Sequence, residues 1–162
     1  MEIERKFTLK KLPEHLESYP CHTIEQAYLN TSPVVRIRQQ NDTYYLTYKG
    51  SGLMAREEYN LPLDKQSYLH LRAKADGNII SKKRYVIPLE NPQFTPSFLP
   101  LTTPKLVIEL DVFAPPFAPL IMAEVEFPNV EMANAFLPPD WFDEDVTMDT
   151  AYHNSNMSKK VF

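Results

Sequence analysis

Residues 1–7 read MEIERKF, crowding Glu2, Glu4, Arg5 and Lys6 around two apolar side chains, Ile3 and Phe7. Wound as a helix, the acids and bases scatter around the cylinder. Drawn out as a strand, Glu2, Glu4 and Lys6 line one face while Ile3, Arg5 and Phe7 line the other. The strand reading therefore gives a face made only of charges. Antiparallel sheets often keep one face wet, so the question is whether other strands repeat the pattern.

They do. In VVRIRQQ (34–40) Arg36 and Arg38 share a face, and Asn41-Asp42 turns the chain into TYYLTYKG (43–50), where Tyr45, Thr47 and Lys49 alternate with Tyr44, Leu46 and Tyr48. Arg56, Glu58 and Asn60 share a face in residues 53–63, as do Lys82 and Arg84 in NIISKKRYVIPL (78–89). KLVIELDVF (105–113) and LIMAEVEFP (120–128) are the most apolar segments, yet each carries two acids two residues apart: Glu109 with Asp111, and Glu124 with Glu126. Helices are expected over 12–20 between Pro13 and Pro20, from Asp64 to a stop at Gly77, and from Asn129 to before Pro138. The proline-rich stretch 90–104 is a connection or capping excursion, and the polar tail from Asp143 either dangles or folds back.

A flat sheet with one charged face needs only water. A closed sheet can turn those faces inward, making a lumen walled by acids and bases. Poorly paired buried ions are expensive, so such a lumen holds water or a charged guest. A polyanion carrying divalent cations satisfies both signs, since Lys and Arg grip phosphate oxygens while carboxylates hold the metal.

Composition narrows the rest. The chain has 162 residues, 43% hydrophobic and 12% aromatic, which fits one folded domain over residues 1–162. No apolar run approaches the ~20 residues of a membrane span, and no secretory leader is evident. A formal charge of −4 disfavours a duplex nucleic acid partner. The single cysteine, Cys21, has no internal partner, and a cytoplasmic location is expected. The 3 glycines cannot build a Walker or dinucleotide loop. His15, His22, His70 and His153 lack zinc-ligand spacing, although His153 sits in a segment that can fold over a lumen mouth.

EIERKF at the start resembles the Glu-x-Glu-x-Lys signature of the CYTH family, the triphosphate tunnel metalloenzymes. RIRQ, YLTYKG, AREEY, SKKRY, IELDVF, AEVEF, DWFDEDVT and YHNSN are similar to that family's later motifs, in the same order. Two departures stand out: Asn60 occupies a place where an acid often stands, and 90–104 has no counterpart. The resemblance implies a mainly β (α+β) fold, a closed eight-stranded antiparallel barrel forming a charged tunnel with a few flanking helices. It also implies hydrolysis of a triphosphate, most simply inorganic tripolyphosphate, with Mg²⁺ or Mn²⁺, by a monomer or homodimer. Carried onto matching positions, Glu2, Glu4, Glu109, Asp111, Glu124 and Glu126 resemble metal-binding acids. Lys6, Arg36, Arg38, Lys49, Arg56, Lys82 and Arg84 resemble a phosphate clamp, and Glu2, Glu4, Lys6, Arg56 and Glu58 are the candidate catalytic set. The alternatives are a class IV-type adenylyl cyclase, a thiamine triphosphatase, or a non-catalytic polyphosphate-binding module.

Overall fold

Strand β1, Glu2–Leu9, takes up the opening stretch in a computed structural model describing residues 1–162. After it come β2 (Cys21–Thr31), β3 (Val34–Gln40), β4 (Thr43–Lys49), the two-residue β5 (Ala55–Arg56) and β6 (Glu58–Leu63). Helix α1 (Lys65–Arg72) precedes the long β7 (Asp76–Leu89), followed by β8 (Gln93–Phe94), β9 (Leu106–Phe113) and β10 (Ile121–Glu126). The order ends with α2 (Val130–Ala135), β11 (Phe136–Leu137), β12 (Phe142–Asp145) and α3 (Asn154–Met157). Ten strands form one antiparallel sheet, ordered β12-β1-β10-β9-β7-β2-β3-β4-β6 with β5 pairing β1, while β8 and β11 pair separately. No helix is long and apolar enough to cross a membrane.

This differs from the expected closed barrel of eight strands. The ladder is open between β6 and β12, and only β5 reaches across, with Arg56 opposite Glu2 and Ala55 opposite Ile3. The Glu4 N–H adds a bond to the Met54 carbonyl at 3.0 Å. The cause is a change of partner at Glu57: residues 58–63 follow β4, whereas 55–56 turn to β1. The other half of that β1 edge belongs to β12, which places Asp145 opposite Phe7 and Phe142 opposite Leu9.

Alternation along β1 sorts its side chains between two environments. Ile3, Phe7 and Leu9 join Leu110, Ala123 and Val125 in the main core, covered by Ala133 of α2, Phe136 and Phe142. Phe94 and Phe98 from the proline-rich stretch pack here too, so that excursion is a flap over the core, tied down by β8 and β11. On the far side of the sheet, α1 buries Tyr68 against Ala27 and Ile37. Asp64 caps α1 by accepting from the Ser67 N–H at 2.7 Å, and Asn129 caps α2 through the Met132 N–H at 2.8 Å, as their positions in the sequence predict.

Other expectations change. Residues 12–20 make only a single 3₁₀ turn, Leu16–Ser18, because prolines bracket a segment too short to repay helix nucleation. Helix α1 stops at Arg72, and Gly77 serves the tail instead: its φ is +74°, and an added Cβ would lie 2.2 Å from the Ser158 carbonyl oxygen. The tail folds back there, with the Asn78 N–H donating to Ser158 at 2.6 Å.

Arg5 is the one cation on the apolar face of β1. Its Nη1 donates to the Ala133 and Phe136 carbonyls, both at 2.8 Å, and its Nη2 meets Asp145 at 2.7 Å. It therefore satisfies carbonyls that α2 leaves open at its C-terminal end. Arg5→Met keeps the bulk and strands these acceptors; we expect a loss of about 3 kcal/mol, read from urea unfolding. An unchanged midpoint would show that Arg5 is not a fastener.

Candidate functional site

Strand register assembles the site. Glu4 lies opposite Glu126 and Lys6 opposite Glu124 across β1 and β10, and Glu124 lies opposite Glu109 on β9. Asp111 faces Arg84 on β7, Gln26 of β2 faces Arg38 on β3, and Arg36 faces Thr47 on β4. Lys49 meets Glu58, Thr47 meets Asn60, and Glu2 meets Arg56. All of these side chains except Asp111, Gln26 and Thr47 line a cavity of about 430 Å³. At one end of this concave face Ile80, Phe113 and Met122 replace charges and pack with Phe117, Val146 and Met157, giving an apolar plug.

Every side chain anticipated from the sequence lines the cavity except Asp111. Asp111, 1% exposed, lies behind the wall, where it accepts from Arg84 Nε and Nη2 at 2.7 and 2.8 Å and from Lys82 Nζ at 2.7 Å. Its place is that of a buried anchor for two cations, not of an acid facing the lumen. The cations beside it hold its carboxyl below the usual carboxylate range despite burial.

The remaining ions divide into a paired group and an unpaired one. Lys6 bridges Glu4 and Glu124 at 3.1 and 2.9 Å; burial opposes its charge, but the two carboxylates win and raise its proton affinity. Lys49 holds Glu2 and Glu58 at 2.7 and 3.3 Å, and Arg84 reaches Glu109 and Glu124 at 2.9 and 3.2 Å. Lys82 is lowered to about 7, by burial first and by Arg84, against the pull of Asp111. Arg36, Arg38 and Arg56 form no ion pair. Arg36 donates from Nη2 to Thr47 Oγ1 at 3.1 Å, and its buried Nε has no partner. Burial and the nearby Arg36 and Arg84 charges depress Arg38.

The acids show the converse. Like charges directly opposite in a sheet repel, and Glu4/Glu126 and Glu109/Glu124 are two such pairs in adjacent ladders. Glu126 has no cation partner and is pushed up by burial and then by Glu109, Glu4 and Glu58. Glu2 rises from 4.5 to about 8, through burial, a hydrogen bond with Glu58 and the Glu4 charge, so Glu2 and Glu58 share a proton. No three of these acids converge into a ready-made metal cage. Hard oxygen donors crowded on one wall fit Mg²⁺ or Mn²⁺, because Mg²⁺ binds through one or two carboxylates, waters and substrate phosphates.

These groups were legible as alternating charges. Gln26 escaped notice, although a polar residue between Ile24 and Tyr28 on one strand face is a detectable signal. The tail supplies Asn154 and Ser155 to the cavity wall. His153, the tail residue singled out in the sequence, is buried and directs Nε2 to the Thr147 carbonyl at 3.1 Å, away from the charged lumen.

Residues 1–98 match the model of the CYTH domain. The chain belongs to the CYTH family. It is 35% identical over 164 residues to an inorganic triphosphatase of Nitrosomonas europaea, covering 99% of this chain and 98% of that one. An inorganic triphosphatase of Acetivibrio thermocellus is 30% identical over 165 residues, covering 99% and 95%. A crystal structure of an inorganic triphosphatase superposes with a TM-score of 0.70 at 32% identity, covering 99% and 96%. A Hippeastrum protein described as an adenylyl cyclase with a dominant triphosphatase activity, 18% identical over 83% of each chain, shares the CYTH-like fold with a TM-score of 0.55. The acid-bearing β9 and β10 lie beyond the CYTH match but within the span shared with the two curated relatives.

Two outcomes follow from these charges. Asp111→Asn leaves Lys82 and Arg84 without their anchor and is expected to cost about 3–5 kcal/mol. Glu126→Gln removes a repulsion and is expected to stabilise the ligand-free protein by up to about 1 kcal/mol. Parallel urea curves test the contrast, which fails if both variants shift the same way. For Glu2, the folded protein holds a proton that the unfolded chain gives up above pH 4.5, so stability falls as pH rises toward 8. Below the Lys82 transition, between about pH 5 and 7, wild type is expected to lose about 1 kcal/mol more per pH unit than Glu2→Gln, a comparison that cancels the opposing contribution of the buried His153.

Proposed function

We propose that this CYTH protein hydrolyses inorganic tripolyphosphate to phosphate and diphosphate with Mg²⁺ or Mn²⁺, residues 1–162 acting as one catalytic unit. The observation that carries this reading is the division of the cavity: Arg36, Arg38 and Arg56 lack carboxylates and Arg36 Nε is buried without a partner, while Glu4 and Glu126 face each other uncompensated by a cation of their own at Glu126. An anion and a cation arriving together relieve both strains. The inorganic triphosphatase relatives, alike over nearly the whole chain, support the same substrate.

Arg36, Arg38 and Arg56, with Lys6, Lys49, Lys82 and Arg84, would bind the phosphate oxygens and hold the chain in line for attack. Glu4 and the facing Glu126 would hold the metal together with water and substrate oxygens, with Glu2, Glu109 and Glu124 beside them and Asp111 supporting from behind. When bound, such an ion supplies charge neutralisation at the phosphate oxygens. Water attacks the terminal phosphorus, the bond to the bridging oxygen breaks, diphosphate leaves, and the proton of the water passes to a wall carboxylate. Glu58 keeps Glu2 and Lys49 in place beside Arg56. The sheet stays open between β6 and β12, and the two-residue β5 contact with β1 would help to hold the substrate there.

Substrate choice follows from the lining. Only Tyr28, Val34 and Tyr45 offer hydrophobic residues to the cavity, which provides little for a nucleobase or thiazolium ring. The substrate is therefore a free inorganic anion, met in the cytoplasm.

Phosphate release from tripolyphosphate, ATP and thiamine triphosphate, each with Mg²⁺, Mn²⁺ or chelator, tests the assignment. We expect release from tripolyphosphate, abolished by chelator, with Glu4→Gln lowering kcat about a hundredfold. Arg36→Met is expected to raise KM about tenfold or more. Preferred release from ATP, or equal rates in chelator, would overturn the reading.

A further inference from the structure

Two arginines on β3 present unneutralised charge to the cavity, and each is held by an uncharged acceptor that is itself 0% exposed: Thr47 for Arg36 and Gln26 for Arg38. The Gln26 contact is the more complete. Its Oε1 accepts from Arg38 Nε at 2.9 Å and from Nη2 at 2.6 Å, a fork that fixes the plane of the guanidinium. Its Nε2 donates to Asn154 Oδ1 at 3.0 Å, and the same Asn154 oxygen accepts from Lys82 Nζ at 3.2 Å. A chain of neutral amides thus joins two cations from different strands, with the second amide delivered by the tail.

A carboxylate at Gln26 would hold Arg38 with the same fork and more tightly. It would also cancel the charge that an anion needs. The neutral amide gives direction without neutralisation, and Asn154 occupies its amino group so that its carbonyl stays on Arg38. We propose that Gln26, braced by Asn154, is a positioning residue that orients Arg38 as an uncancelled anion clamp. The inference rests on the tripolyphosphate reading of the cavity.

The test compares wild type, Gln26→Glu, Gln26→Met and Asn154→Ala in three measurements: calorimetric binding of tripolyphosphate in chelator, phosphate release with Mg²⁺ or Mn²⁺, and urea unfolding. Gln26→Glu is expected to unfold no earlier than wild type, because Arg38 gains a carboxylate, yet to raise the Kd for tripolyphosphate about tenfold or more. KM rises in step while kcat stays within about threefold. Gln26→Met removes the fork without adding charge and also weakens binding, which separates orientation from simple repulsion of the polyanion. Asn154→Ala weakens binding in the same direction and by less.

A purely structural amide predicts the opposite for Gln26→Glu, a lowered unfolding midpoint with unchanged Kd, and that result overturns the proposal. Unchanged Kd in Gln26→Met overturns the orienting role as well. If wild type binds tripolyphosphate but releases no phosphate with either metal, the hydrolase reading fails while the Kd comparison still decides the role of Gln26. If wild type does not bind tripolyphosphate, both fall together.

Discussion

Glu4 faces Glu126 across β1 and β10, and one strand further on Glu124 faces Glu109. Side by side, these acids would push the strands apart, and most of the cavity is arranged around that conflict. Lys6 stands between Glu4 and Glu124, Arg84 reaches Glu124 and Glu109, and Asp111 holds Arg84 from behind. The compensation stops short of Glu126, and on the facing strands it stops short of Arg36, Arg38 and Arg56. A protein built only for stability would have paired these groups or replaced them with apolar side chains.

The fold makes that arrangement tolerable by moving apolar contacts to the other side of the sheet. The outward side chains of β1, β9 and β10 meet α2 and the proline-rich flap, so the core forms around the outside of a charged interior. Within the interior, the apolar group of Ile80, Phe113 and Met122 confines the ions to one stretch. Low polarity nearby strengthens the remaining electrostatic contacts, including those that a phosphate chain would make.

Much of this was legible in the sequence because a strand's side chains alternate strictly, so charges two residues apart must share a face. Glu2/Glu4/Lys6, Arg36/Arg38, Lys82/Arg84 and Glu124/Glu126 all follow that rule into the cavity. Asp111 obeys the same alternation, yet its partners Lys82 and Arg84 cover it; periodicity reports the face of a strand, not what lies on top of it. The open edge of the sheet, where a closed barrel was expected, was not legible either. It depends on a change of partner at Glu57 and on competition between β5 and β12 for one edge, long-range events with no local signature. Asn154 escaped for a similar reason, since its place depends on Gly77 letting the tail approach β7.

The tail that brings Asn154 to the cavity also ties the site to the order in which the protein is made. Lys6 bonds Glu124, 118 positions later, and its own N–H bonds Thr147, 141 positions later. Strand β1 therefore leaves the ribosome well before its neighbours β10 and β12, and a growing chain has no complete cavity until Asn154 and Ser155 emerge. Such distant pairings are slow to form. The charges along β1 that later surround the cavity also protect it during the wait, because an edge dense in Glu and Lys is a poor template for aggregation.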